Sequence, residues 1–196
     1  MSPAAQATTK GRRTDRAAAV RTALRSLVAQ RGFHGASMAA VAAKAGVATG
    51  TAYVHYASKD ELVIAAYLES KRDLGEAAAG AAAAARTPGE VFQALWKGIY
   101  RHLAANPSEA QFLIQVEGSP YAARAHEAAM AREDDPLMRI AAEPAIARQL
   151  EPLPPEVLYE IGLAPALRLA ARGTPLSNSD LDRTASAGWR AVSRVR

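Results

Sequence analysis

Residues 37–62, SMAAVAAKAGVATGTAYVHYASKDEL, restrict the fold more than any other stretch of this chain. Ser37 is a good N-cap, Met38, Val41, Ala42 and Ala45 recur at helical spacing behind it, and Gly46 is a natural left-handed terminator. A second short helix begins near Thr49 and stops around Tyr56. Helices of about eight and seven residues cannot bury enough surface to stand alone. A partner precedes them: from Thr14, Val20, Leu24, Leu27 and Val28 form an apolar face, while Arg21 and Arg25 share a second, cationic face, and this helix should end near Gly32. Three helices turning at Gly46 make a helix-turn-helix unit.

The remainder is also helical by pattern. Ser58, Asp60 and Glu61 supply a cap and an acidic first turn for a fourth helix, running from Lys59 towards the tract AAAGAAAAA at 77–85. That tract reads as a continued helix or as a frayed linker. Thr87-Pro88-Gly89-Glu90 is a capping box with proline at the first helical position, opening a helix to about Ala105. Asn106-Pro107-Ser108-Glu109 repeats the device for a helix to about Val116, and Ser119-Pro120 opens another. Residues 133–155, with five prolines, read as a broken connection holding at most one short helix. Two last helices follow, about 156–172 and 179–194, separated by Gly173 and Pro175, with a kink expected at Pro165. No segment sustains two-residue alternation, so the chain is all-α.

Charge divides the chain. Residues 1–60 carry nine cations against two acids, and the other 136 residues carry 15 cations against 17 acids. Excess positive charge confined to the first third points to a polyanion partner there, since phosphate neutralisation supplies most sequence-independent affinity for nucleic acid. Residues 1–13, without periodicity, read as a flexible basic arm whose Lys10, Arg12 and Arg13 suit a minor groove. There is no cysteine, hence no disulfide, thiolate site or cysteine nucleophile. Histidines 34, 55, 102 and 126 show no metal-ligand spacing, and no phosphate-cradling glycine loop or base-flanked nucleophile is present, so neither an enzyme nor a metal or cofactor is expected. With no apolar run approaching the roughly 20 residues of a span and no secretory leader, the chain is expected to be soluble and cytoplasmic, without a membrane partner. Nineteen Arg against five Lys suggest a GC-rich bacterial source.

A helix entering a major groove about 12 Å wide needs small or hydrogen-bonding side chains outward and apolar ones inward. Thr49, Gly50, Thr51 and Tyr53 fit the outward role, and Ala52 and Tyr56 the inward one. Gly50 lets backbone approach bases, and threonine methyls and the Tyr53 ring can touch thymine methyls. His55, Lys59 and the Tyr53 hydroxyl would reach phosphates at the groove edge, Lys59 helped by the start of the fourth helix.

Residues 14–68 resemble the DNA-binding domain of the tetracycline-repressor (TetR) family. The likeness rests on Arg31-Gly32-Phe33 ending the first helix, Ser37 before Met38 and Val41, and the run Ala42-Ala43-Lys44-Ala45-Gly46-Val47. It continues through Thr49-Gly50-Thr51-Ala52-Tyr53 and His55-Tyr56 ahead of Ser58-Lys59-Asp60-Glu61-Leu62. The resemblance implies nine helices, a homodimer, a palindromic operator in double-stranded DNA and a small-molecule inducer. It assigns base contacts to Thr49, Gly50 and Tyr53, and phosphate contacts to Ser37, Thr51, His55 and Lys59. Ala48 departs from the family's frequent serine cap, a loss of about 1 kcal/mol to the recognition helix. Ala39 and Ala40 are too short to read bases from the helix before it.

The implied organisation is an arm at 1–13, a helix-turn-helix domain at 14–58 and a ligand-binding and dimerisation domain at 59–196. In the last, Phe92, Trp96 and Tyr100 recur at four-residue spacing, with Phe112, Gln115, Tyr121 and Met130 on neighbouring helices; these are pocket candidates, and a core stripe is the competing reading. Few formal charges fall near them, which favours an apolar or aromatic inducer. Leu181, Ala185, Gly188, Trp189 and Val192 form a stripe on the last helix, with Leu158 and Ile161 on the helix before, suited either to a four-helix dimer interface or to burial within the monomer. The expected function is a ligand-responsive repressor; an adaptor binding protein through its helix-turn-helix is the alternative.

Overall fold

The computed structural model describes residues 3–132 and 134–194, with side chains from Asp15 onward. Among these residues there are twelve helices and no strand beyond the isolated Leu150–Ser193 bridge. In chain order they are α1 Pro3–Arg31, α2 Met38–Lys44, α3 Thr49–His55, α4 Lys59–Ala82, α5 Pro88–Ala105 and α6 Pro107–Glu117, then α7 Ala122–Met130, α8 Pro136–Ala142, α9 Pro144–Ala147, α10 Pro155–Gly162, α11 Ala164–Ala171 and α12 Asn178–Val192.

The excess over nine has two local causes. Residues 133–155 hold two short helices rather than at most one, because Pro136 and Pro144 each sit at a first helical position, where a missing N–H costs nothing, and Asp135 caps the first through its side chain. The penultimate helix is not merely kinked. Pro165 divides it into α10 and α11, meeting at Leu163. In the tract 77–85 α4 continues as far as Ala82, and residues 83–85 lie beyond its end. α1 begins at Pro3 rather than Thr14; the expected arm's Met1 and Ser2, and the side chains of Lys10, Arg12 and Arg13, lie outside the described residues.

The chain forms two compact units. The first comprises the chain to Glu69 together with Gln111–Ala128, and the second Ser70–Ala110 together with the chain from Ala129. Thus α4, α6 and α7 each contribute residues to both. In the first unit Val20, Leu24 and Val28 of α1 are fully buried with Val41 and Ala42 of α2, Ala52 of α3 and Leu62 and Val63 of α4. Phe33 packs on Phe112 and Tyr121, ring centroids 6.4 and 4.9 Å apart, and Gln115 donates to the Val28 carbonyl at 2.9 Å. The second unit is built on α5, against which α11 and α12 pack, with Trp96, Ile99 and Leu103 in its core.

Candidate functional site

In the first unit, Ser37 caps α2 by accepting from Ala40 N–H at 3.2 Å. Gly46 has φ +68°, and a Cβ placed there would touch nothing within 4 Å, so the conformation and not crowding requires glycine. The N-cap of α3 is Ala48, whose side chain offers no capping hydrogen bond. Of its seven residues only Ala52 is buried. Thr49 and Gly50 are exposed, Tyr53 is 50% exposed, and Thr51 and His55 are half-buried. Nothing in the chain would meet a Cβ at Gly50 within 4 Å, so that surface is open. Val54 is 67% exposed, the most exposed large apolar side chain of this face, and the sequence reading passed over it. Helical phase alone was the available signal, since Gly50, Tyr53 and Val54 fall together when Ala52 and Tyr56 point inward.

Tyr56 ends α3 and is buried, its hydroxyl accepting from Arg21 at 2.5 Å. Arg21 and Arg25 do not form a free cationic face: both donate to Glu69 of α4 at 2.5 Å, with all three side chains largely buried. Burial pushes the Glu69 carboxyl up, the hydrogen bonds from Arg21 and Arg25 push it down more together, and the result lies below its ordinary value. The Arg21 guanidinium is raised, chiefly by its bond to Glu69. Lys59 donates one proton to the Phe33 carbonyl, leaving two ammonium donors, and the His55 ring lies 6.4 Å from that of Tyr56. Ser37 is exposed on the α2 cap. Outward small and aromatic side chains on a short helix, braced from behind by a buried ion cluster, suit insertion into a groove.

The second unit holds an open-sided cavity of about 410 Å³. α5 gives Pro88, Val91, Phe92 and Leu95; the proline-rich segment gives Leu137, Met138, Ile140, Ile146, Leu150 and Leu153; α10 gives Leu158 and Tyr159, and α12 gives Trp189 and Val192. Of the pocket candidates, Phe92 alone lines it. Trp96 is fully buried and stacks on Tyr100, whose hydroxyl donates to Thr174 O and accepts from Leu176 N, so both serve the core and the loop before α12. Phe112, Gln115 and Tyr121 belong to the first unit, where Gln115 bonds Val28 of α1 and the two rings pack on Phe33 just after it, and Met130 is 56% exposed. A four-residue stripe could not distinguish the cavity end of α5 from its core end.

The interface candidates are also redistributed. Leu181, Ala185 and Val192 are buried within the chain, and Leu158, Trp189 and Val192 line the cavity. A Cβ at Gly188 would come within 3.2 Å of the Gly162 carbonyl and of Phe92, so α12 approaches α10 and α5 closely at that point. Ile161 remains 42% exposed, beside Val157 at 40%.

An all-helical chain with an exposed helix-turn-helix in one unit and an open-sided apolar cavity in the other has the architecture of a DNA-binding transcription regulator. The family model for bacterial regulatory proteins of the tetR family matches residues 20–66, and that for the tetracyclin repressor-like C-terminal domain matches residues 89–193, more than half the sequence. The chain belongs to the TetR family of transcription regulators, and is not an enzyme. Similar solved structures are TetR-family regulators from Marinobacter aquaeolei VT8 (19% identity, TM-score 0.78, covering 94% of this chain and 98% of that one) and Haemophilus influenzae Rd (24%, 0.78, 92% and 98%). A third is the fatty acid degradation regulator FadR of Bacillus halodurans (18%, 0.67, 92% and 96%). No curated protein matches the sequence. Among the described residues no helix is long and apolar enough to cross a membrane.

Proposed function

We propose that this protein is a homodimeric, cytoplasmic repressor that binds a palindromic operator through α3 of each subunit and is released when a small, largely apolar inducer occupies the cavity. The exposed side of α3, with Thr49, Gly50, Tyr53 and Val54 turned away from a core sealed by Ala52 and Tyr56, carries the reading. Thr49, Gly50, Tyr53 and Val54 face base edges in it; Ser37, Thr51, His55 and Lys59 hold phosphates and fix register. Two recognition helices must enter successive major grooves roughly 34–36 Å apart, and an inducer that prefers a differently spaced state weakens binding by its differential affinity.

Selection of DNA fragments by the purified protein supplies the operator, and two variants then separate the roles. Lys59→Ala weakens binding to every sequence and lowers the salt slope by about one, whereas Thr49→Ala relaxes preference at one base position by about 1–3 kcal/mol with the slope unchanged. Failure to select any sequence, with salt-independent binding to protein instead, would favour an adaptor.

Dimerisation is supported by the two apolar side chains that α10 leaves outside, Val157 and Ile161, one turn apart. Ile161→Glu should convert a dimer to a monomer in sedimentation while leaving the melting of each chain largely intact; an unaltered dimer would move the interface elsewhere.

A further inference from the structure

The cavity has one formally charged side chain in its lining, Glu151, and no Lys, Arg or His. We infer that the cavity takes an amphipathic cation, a molecule with one ammonium head and an apolar, aromatic-sized body, whose charge is neutralised by Glu151. The inference rests on the reading of this cavity as the inducer site.

Three observations carry it. Glu151 is held in place: its N–H donates to Val192 O at 2.8 Å, its carbonyl accepts from Leu153 N at 2.8 Å, and the adjoining Gln149 carbonyl accepts from Arg194 N at 2.9 Å. Glu151 is a partly buried residue of the lining, and no described residue forms an ion pair or side-chain hydrogen bond with it, so its carboxylate is available to a ligand cation. The lining also includes Phe92, Tyr159 and Trp189, aromatic residues of the kind that attract cations. Tyr159 already receives one on its ring: Lys71 Nζ lies 4.8 Å from the centroid, outside the cavity lining. An acyl carboxylate or a phosphate would instead meet Glu151 with no counter-charge in the lining.

Calorimetric titration of the full chain with one body carrying three heads, phenylhexylamine, phenylhexanol and phenylhexanoate, tests this. The amine should bind more than about tenfold tighter than the alcohol, the strength of one charge-assisted contact, and the carboxylate should bind weakest. Glu151→Gln should erase the preference for the amine while leaving alcohol affinity within about twofold. Leu158→Trp, which fills the cavity, should abolish binding of all three. An alcohol bound as tightly as the amine, or an amine preference that survives Glu151→Gln, overturns the inference and leaves the cavity as an apolar inducer site. If none of the three binds, or binding survives Leu158→Trp, the cavity reading itself falls and takes the inference with it.

Discussion

Glu69→Ala should lower the melting temperature of the chain by about 5–10 °C and weaken operator binding with it. Glu69 accepts from Arg21 and Arg25, and the three side chains are between 13% and 19% exposed. Removing the acid leaves two guanidiniums facing each other in a poorly solvated place. Breaking a fully buried pair this way costs about 3–5 kcal/mol. With some solvent still present, about 2–3 kcal/mol is the expected cost, and a chain of this size loses roughly 2–4 °C for each. DNA binding suffers because Arg21 also donates to the Tyr56 hydroxyl, and Tyr56 ends the recognition helix. Tyr56→Phe removes that bond together with the hydroxyl's longer donation to the Ala17 carbonyl at 3.4 Å, and should cost about 1–2 kcal/mol. If Glu69→Ala melted within a degree of wild type, the cluster would not be what fastens α1 to α4.

The same cluster sets a pH dependence of stability. The Glu69 carboxyl titrates lower in the folded chain than in the unfolded one, so at intermediate pH the unfolded chain binds more protons and stability rises with pH. The contribution is complete above the ordinary carboxylate range, near pH 4.3 for Glu, and is lost as pH falls through the lower folded value. Glu90 and Asp180 are lowered as well, the first by Arg86 and Thr87 backbone N–H groups and the second by the Ser177 side chain and Arg183, so acid unfolding is shared. The difference between wild type and Glu69→Ala isolates one member. It should shrink below about pH 4 and be flat from pH 6 to 8.

Those two arginines also show where reading the sequence stops. Ser37, Gly46, Ser58 and the Thr87–Glu90 box act on backbone groups within four residues, so the ends of α2, α4 and α5 were legible, as was the inward turn of Ala52 and Tyr56. The acid that neutralises Arg21 and Arg25 lies more than forty residues away, and helical phase, which put them on a face of their own, carries no information about it. The cavity was hidden for a related reason. Prolines at 136, 144, 152, 154 and 155 read as interruption, whereas the apolar residues between them, Leu137, Met138, Ile140, Ile146 and Leu150, supply a wall. A stripe such as Leu181, Ala185, Gly188 and Val192 announces burial but not against what; here Gly162 and Phe92 of the same chain meet Gly188.

The alanine tract, ambiguous on propensity alone, yields the sharpest packing test. A Cβ at Gly98 of α5 would lie 2.9 Å from Ala81 Cβ, 3.0 Å from Ala78 Cα and 3.4 Å from Ala77 O. Two of these three contacts are backbone and cannot swing aside, so α4 and α5 approach as closely as glycine against alanine permits. Small residues at 77–82 are thus complementary to Gly98, and the tract is a packing surface as well as a run of good helix formers. Gly98→Leu should therefore cost about 3 kcal/mol or more, the upper end of overpacking, and should also loosen the cavity, since Val91, Phe92 and Leu95 ride on the same helix. Gly80→Ala makes the control. It lies in the same tract, but a Cβ there meets nothing within 4 Å, so the gain in helix propensity should stabilise the chain by up to about 1 kcal/mol. Opposite signs at 98 and 80 in thermal melts are the expected result. A Gly98→Leu variant as stable as wild type would mean that the helices are not in close contact and that the alanines serve propensity alone.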